Sequence, residues 1–181
     1  GKFLFFSSDR PGGKGGDDIW LSVRDEEKGK WGVPQNAEGI NTKDSEVTPS
    51  IHSDGTTLYF SSNKEGGVGG YDIYFTQSSA RLKNPETPAI LAEGWISPVN
   101  LGKPFNCEFD DEYPTVISSG KRMYFASNRP EGFGTFDIYY ANVPDFARPL
   151  LRLNFEGTVY SGESTKTIST RFLLKGGEQS Q

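Results

Sequence analysis

The sequence predicts an all-β fold. Its 181 residues include 22 glycines and 11 prolines, and aromatic residues make up 13% of the chain. Turn-forming and aromatic residues in these numbers are typical of short strands joined by tight turns. The apolar runs, such as 3–6, 58–60 and 123–125, are strand-sized and are bounded by Gly, Asn or Asp.

A repeated unit organises the chain. The segment Gly-Lys-Phe-Leu-Phe-Phe-Ser-Ser-Asp-Arg, which begins at Gly1, returns in related form from Gly55 and from Gly120. Each copy continues through a glycine-rich loop into a second apolar run that contains Asp-Ile. Internal repeats of this kind indicate one supersecondary unit that is built several times.

Each unit is predicted to contain four strands. The first follows the Pro of segments 48–51 and 113–116, and the second is the Leu-Tyr-Phe-type run. The third is the Asp-Ile-Tyr-type run, and the fourth surrounds the Trp-x-x-Pro of residues 31–34 and 95–98. Four strands in a repeat of about 40–50 residues match one blade of a β-propeller.

Three such repeats are visible, at approximately 1–47, 48–112 and 113–144, and the first lacks its opening strand. Since a closed propeller has about four to eight blades, the three repeats predict a partial ring. The remaining blades would come from an absent N-terminal part or from a second copy, which makes a homodimer one expected assembly.

No fourth copy follows residue 144. Within 145–181, the segments 151–160 and 166–174 read as two strands on either side of a polar turn and predict a C-terminal β-hairpin. This hairpin either completes the last blade or begins a module that resembles a carboxypeptidase-regulatory-like β-sandwich.

The combined motif resembles a known family. Phe-Ser-Ser-Asn with a basic residue, a glycine-rich loop and Tyr-Asp-Ile-Tyr, as in residues 60–74, is similar to the WD40-like, TolB-type β-propeller repeat. The variant with Trp-x-x-Pro, Asn and an acidic residue before the next Pro resembles repeats of bacterial cell-envelope proteins. Among these are outer-membrane lipoproteins with a peptidoglycan-binding OmpA-like domain, and some belong to the type IX secretion machinery.

The resemblance implies half of a six-bladed ring, and a periplasmic or outer-membrane-associated location. It also implies envelope proteins as partners, with peptidoglycan reached only through a linked domain that is not among these residues.

Charge and composition exclude several classes of function. The net charge is −5 and no basic cluster is present, which argues against nucleic-acid binding. No apolar run approaches the ~20 residues of a transmembrane helix. The single Cys107 excludes an internal disulfide, and the single His52 excludes sites that need two imidazoles.

Six residues recur with the repeat at the ends of the central hairpin: Asp9, Asp18, Asn63, Asp72, Asn128 and Asp137. Carboxylates repeated around a ring could hold a cation in its channel. However, a residue that recurs with the repeat normally serves the repeat. We therefore predict that the Asp-Ile aspartates accept backbone N–H bonds from the loops or pair with the neighbouring basic residues.

The parts that the repeat does not explain are predicted to contact a partner. One is the insertion 78–94, with Leu82, Lys83 and Asn84. The other is the acidic loop 107–112, with Glu108, Asp110, Asp111 and Glu112. The oxygens of that loop could also bind calcium, but their spacing is not that of an EF-hand, so a solvated loop without a cofactor is favoured.

The sequence predicts a non-enzymatic scaffold that presents loops to protein partners. No Gly-x-Ser-x-Gly motif is present, and His52 aligns with Ile117, an ordinary strand position, so no catalytic residue is expected. Most strand aromatics, Tyr124 and Tyr140 included, are expected in the core. The alternatives are a carbohydrate- or peptide-binding propeller accessory to a hydrolase, and a calcium-dependent adhesive module.

Overall fold

The computed structural model describes residues 2–25, 27–78 and 94–149. The all-β class is confirmed in these ranges, and no helix within them is long and apolar enough to cross a membrane. The elements are the strands β1 (Phe3–Ser8), β2 (Asp18–Val23), β3 (Gln35–Asn36), β4 (Glu46–Ile51), β5 (Thr57–Ser62), β6 (Asp72–Gln77), β7 (Val99–Asn100), β8 (Asp111–Val116), β9 (Arg122–Ser127) and β10 (Asp137–Asn142), and a 3₁₀-helix (Asp145–Ala147).

The strands form three antiparallel sheets. Sheet I has the order β1-β2-β3, sheet II the order β4-β5-β6-β7 and sheet III the order β10-β9-β8. The central hairpin has one register in all three sheets, in which the paired aromatics are Phe6 and Trp20, Phe60 and Tyr74, and Phe125 and Tyr139. The repeat in the sequence is therefore a repeat of the same hairpin.

The first strands of sheets II and III each carry a bulge. The register shifts within residues 47–50 of β4 and within 112–115 of β8. The bulged residues Thr48 and Tyr113 have φ angles of 51° and 56°. Each precedes a Pro, whose nitrogen cannot donate to the ladder. These strands consequently begin before the Pro, and not after it as the sequence suggested.

Two hydrophobic clusters hold the sheets together, one between sheets I and II and one between sheets II and III. We call the side of a sheet that meets the preceding sheet its rear face, and the side that meets the following sheet its forward face. The rear face of sheet II consists of Leu58, Phe60 and Tyr74. Its forward face consists of Tyr59, Ile73 and Phe75.

Two faces, one at each end of the series of sheets, are not covered by another sheet in the described residues, so the three sheets do not close into a ring there. They are the rear face of sheet I, formed by Leu4, Phe6 and Trp20, and the forward face of sheet III, formed by Tyr124, Ile138 and Tyr140. Tyr124 and Tyr140, expected in the core, are exposed instead. The core expectation fails for them because it assumed a following sheet.

The chain after β10 turns back towards sheet II. The Tyr59 hydroxyl donates to the carbonyl of Ala147 (2.5 Å), and the Gln77 side chain donates to the carbonyl of Arg148 (3.2 Å). The predicted C-terminal hairpin lies in residues 150–181, outside the described residues.

Candidate functional site

The aspartates of the Asp-Ile motif hold the glycine-rich hairpin loops. Asp72 is fully buried at the start of β6, and its carboxylate accepts hydrogen bonds from the backbone N–H groups of Val68 and Gly69. Asp18 and Asp137 accept backbone N–H bonds from the first and third loops in the same way. Because each loop turns its N–H groups inward, a carboxylate at this position stabilises the turn.

The asparagines that follow the first strand of the central hairpin, Asn63 and Asn128, bond the segment that precedes the first strand of the same sheet. The Asn63 side-chain oxygen accepts a hydrogen bond from the Ser45 N–H (2.9 Å). Asn128 accepts from the Asp110 N–H (2.8 Å) and donates to the Asp110 carboxylate (3.0 Å). The corresponding residue of sheet I, Asp9, is exposed.

A joint between sheets II and III is formed by residues 106–110, which we call the second lead-in loop because it precedes β8. This loop lies on the glycine-rich hairpin loop of sheet II. The Tyr71 N–H donates to the Asp110 carboxylate (2.9 Å), and the Asp111 N–H donates to the Tyr71 carbonyl (2.7 Å). The chain therefore pairs with the preceding sheet before it enters its own.

The first lead-in loop, residues 41–45 before β4, forms the same joint between sheets I and II. The Asp17 N–H donates to the Ser45 hydroxyl (3.2 Å), and the Glu46 N–H donates to the Asp17 carbonyl (2.7 Å). The two joints use equivalent positions of the repeat, although the side chains differ.

Two equivalent glycines allow this close approach. A Cβ on Gly15 would lie 1.8 Å from the Asp44 carbonyl oxygen, and one on Gly69 would lie 2.2 Å from the Cys107 carbonyl oxygen. Backbone atoms cannot move away as a flexible side chain can, so these positions exclude any larger residue. The glycine-rich loops of sheets I and II are thus contact surfaces between sheets.

A buried ion pair reinforces the second joint. Asp111 is fully buried and accepts hydrogen bonds from the Arg129 guanidinium (2.7 Å) and from the Cys107 N–H (2.7 Å). Arg129 also donates to the Phe105 carbonyl (3.0 Å) and lies over the Tyr139 ring. Burial alone would lower the pKa of Arg129, but the hydrogen bond and charge of Asp111 outweigh it and raise that pKa.

Two buried asparagines, each following the Trp-x-x-Pro of one of the first two repeats, bond the backbone of a core strand, a role that the sequence analysis did not assign to them. Asn106 accepts a hydrogen bond from the Ile73 N–H (2.8 Å) and donates to the Ile73 carbonyl (2.9 Å). Asn41 makes the same two bonds with Ile19 (2.8 Å each). Their recurrence after the Trp-x-x-Pro motif is the sequence signal that could have identified this role.

The residues predicted to contact a partner have different environments. Glu108 is exposed, and Glu112 is half-buried, where burial and the charge of Asp110 raise the pKa of its carboxyl. Asp110 and Asp111 are engaged in the second joint. The insertion residues Leu82, Lys83 and Asn84 lie outside the described residues.

A cavity of about 410 Å³, lined by both charged and apolar residues, lies beside the second joint. Its charged lining consists of Lys103, Glu108, Arg129 and Glu131, and the Cys107 residue also borders it. Burial raises the pKa of the Cys107 thiol, so this group is protonated at neutral pH and is a weak nucleophile. The mixed charges suit a polar contact surface better than covalent chemistry.

An open groove of about 200 Å³ follows the two bulges. It is lined by Thr48, Pro49, Ser50, Tyr113, Pro114 and Thr115. Tyr113 is 63% exposed, and its backbone N–H donates a hydrogen bond to the Thr48 hydroxyl (3.3 Å). The groove therefore presents an aromatic ring close to hydroxyl groups.

His52 links sheets II and III. It is buried, its Nδ1 accepts a hydrogen bond from the Asp54 N–H (3.1 Å), and its Nε2 lies 3.2 Å from the Ile117 carbonyl oxygen. With Nδ1 as an acceptor, the ring proton is at Nε2 and is donated to Ile117. Both nitrogens are thus used in packing.

Among the residues that the structure describes, no three His, Cys, Asp or Glu side chains form a group that could hold a metal ion. No protein-family model and no curated protein matches the chain. The geometry of the joints and of the exposed faces therefore carries the functional interpretation.

Proposed function

We propose that the chain is part of a β-propeller of the WD40-like, TolB-type repeat, and that it acts as a non-enzymatic protein-interaction scaffold. The observation that carries this proposal is the joint between sheets, which is built twice from equivalent positions of the repeat. A contact that repeats with the same geometry generates a ring or a solenoid of sheets. The envelope setting, periplasmic or associated with the outer membrane, rests on the resemblance of the motif.

The distribution of polar groups supports a scaffold. The buried carboxylates and asparagines are engaged in turns and joints, as the pairs of Asp72 and Asp111 illustrate. Charged groups also line the cavity beside the second joint, where Lys103 lies with the carboxylates of Glu108 and Glu131. Such a surface can pair with the charges of a protein loop and gain specificity from their arrangement.

Site-specific photocrosslinking tests this proposal. A benzophenone amino acid is placed at Glu108, and in a matched variant at Val33, which is 87% exposed and lies away from the cavity. We expect the Glu108 probe to label a discrete protein in a bacterial envelope extract, and the Val33 probe to leave it unlabelled. Equal labelling by both probes, or none, would contradict a partner surface at the cavity.

The peptidoglycan part of the proposal has its own test. We expect the 181-residue chain to remain in the supernatant when purified peptidoglycan is sedimented, because contact with peptidoglycan requires a linked domain. Co-sedimentation of this chain would show that the repeats themselves bind the polymer.

A second candidate function is a carbohydrate- or peptide-binding surface accessory to a hydrolase. The exposed Tyr113 ring in the groove at the bulges favours it, because an aromatic face beside hydroxyls can stack on a sugar ring or a peptide side chain. NMR titration with a chito-oligosaccharide and with an extended peptide tests it. Shifts confined to the groove and lost in Tyr113→Ala would support this candidate, and their absence would reject it.

A further inference from the structure

The forward face of sheet III repeats a face that is buried elsewhere in the chain. Ile138 and Tyr140 occupy the positions that Ile73 and Phe75 hold in sheet II. Ile73 and Phe75 are 0% and 3% exposed against sheet III, whereas Ile138 and Tyr140 are 81% and 65% exposed. Exposed apolar side chains grouped in this way mark an interaction surface.

The rear face of sheet I has the same kinds of residue as the rear faces of sheets II and III. In sheets II and III this face has an aliphatic residue, a Phe and a Tyr, with a cation lying over a ring, Lys64 in one case and Arg129 in the other. Sheet I has the set Leu4, Phe6 and Trp20, with Arg10 lying 4.6 Å from the Phe6 ring centroid. Leu4 is 41% exposed and Phe6 is half-buried, whereas Trp20 is 6% exposed, with the Arg10 guanidinium 5.3 Å from its ring centroid.

We infer that the forward face of sheet III docks on the rear face of sheet I of a second copy of this chain. The inference deepens the proposed function and rests on its repeat arrangement, in which every forward face meets a rear face. A second copy is the expected partner because one chain carries both surfaces of the contact, a forward face and a rear face. Faces of the same composition already meet in the two inter-sheet clusters.

The contact is heterologous, because the two surfaces that meet are different. Two copies related by a twofold rotation would make it twice and close the pair, whereas any other rotation would extend it to longer assemblies. Aliphatic and aromatic side chains dominate both surfaces, so substitution of one of them by a charged residue removes the contact and leaves a buried charge.

Light scattering after size exclusion, together with paired charge variants, tests the inference. The wild-type chain should elute with a mass near twice 20.0 kDa. Tyr140→Glu alters only the forward face of sheet III, and Leu4→Glu only the rear face of sheet I. Each should weaken the association by at least about tenfold. Val33→Glu, a matched charge on an exposed apolar residue outside both faces, should leave it unchanged.

Mixing the two variants separates a head-to-tail contact from a symmetric one. The Leu4→Glu copy retains its forward face and the Tyr140→Glu copy retains its rear face, so the mixture should form a mixed pair through one intact contact. Native mass spectrometry with one copy isotopically labelled would detect it. Circular dichroism of each variant establishes that it is folded.

Several results would overturn the inference: a single-copy mass for the wild type, an assembly that survives either variant, or a mixture that forms no mixed pair. A single-copy mass combined with a specific crosslink from Glu108 would overturn the docking and leave the proposed scaffold function standing. A dimer that both charge variants disrupt, without a specific crosslink from Glu108, would support the docking and contradict the partner surface at the cavity.

Discussion

Individual buried amides contribute more to this fold than their number suggests, and Asn106 illustrates why. Its side chain bonds both backbone groups of Ile73. The Ile73 carbonyl also accepts a hydrogen bond from the Leu101 N–H (3.0 Å), so the Ile73 N–H is the group that would be unpaired without Asn106. Each buried polar group left unsatisfied costs about 1–3 kcal/mol. We therefore expect Asn106→Ala to lower the free energy of unfolding by about 1–3 kcal/mol, measured by urea denaturation. The exposed Asn142→Ala should change it by less than about 0.5 kcal/mol, and equal losses would contradict this role.

Glu112 makes stability depend on pH. Burial and the charge of Asp110 raise the pKa of its carboxyl above the usual value of 4.5, so the folded state holds this proton more tightly than the unfolded state does. Ionisation therefore costs stability, which is lost as the pH rises from the unfolded pKa through the folded one. Glu112→Gln should raise Tm by about 2 °C at pH 7.

The same variant should have the wild-type Tm at pH values below the unfolded pKa, because both side chains are then neutral. Glu108→Gln removes the same charge from an exposed position and serves as the matched control. A gain in Tm that is equal at low and neutral pH would show that the effect comes from packing and not from ionisation.

The repeated element of this chain is a hairpin with a glycine-rich loop, and within the described residues a lead-in loop covers two of the three glycine-rich loops. Gly69 lies under the second lead-in loop, whereas the nearest heavy atom to a Cβ on the equivalent Gly134 would be the Phe136 oxygen at 3.6 Å. We expect Gly69→Ala to lower the free energy of unfolding by more than about 2 kcal/mol, because backbone atoms must separate. Gly134→Ala should be nearly neutral.

Chemical denaturation of both variants measures this difference, and equal losses would contradict it. The comparison is matched in sequence, since both glycines hold the same position of the repeat and neither has a positive φ.

The hairpins could be predicted from the sequence because their signals are local. Alternating apolar residues, an Asp at the strand start and glycines in the loop all lie within one unit. The bulges and the joints could not be predicted in this way. Thr48 adopts its left-handed conformation for the sake of β4 and β5 together, and Asp110 meets Tyr71 only after two sheets have formed. The acidic loop therefore looked like a free surface in the sequence, although half of its carboxylates serve the packing.

In the described residues, the three sheets form a series of like contacts, with one end at sheet I and the other at sheet III. The two inter-sheet clusters and their joints repeat, while no other sheet of the described residues covers the forward face of sheet III or the rear face of sheet I. The forward face of sheet III is exposed, whereas on the rear face of sheet I Leu4 is exposed and Trp20 is buried. Aromatic residues at these ends could not be distinguished from core residues by sequence, because the repeat gives Tyr140 the same pattern as Phe75. Whether such an aromatic side chain is exposed therefore depends on whether its sheet is internal or terminal in the series.

The same substitution at an internal sheet and at a terminal sheet measures how much stability the burial of this position contributes. Ile73→Thr places a hydroxyl in the cluster between sheets II and III, and Ile138→Thr places one on the open forward face. We expect the first to lower the free energy of unfolding by about 2–4 kcal/mol, since it removes buried apolar volume and adds a polar group. The second should change it by less than about 0.5 kcal/mol. Thermal unfolding is measured at a concentration where light scattering reports one copy. Equal losses at that concentration would mean that the forward face of sheet III is already covered within a single chain, and the end of the series would then lie elsewhere.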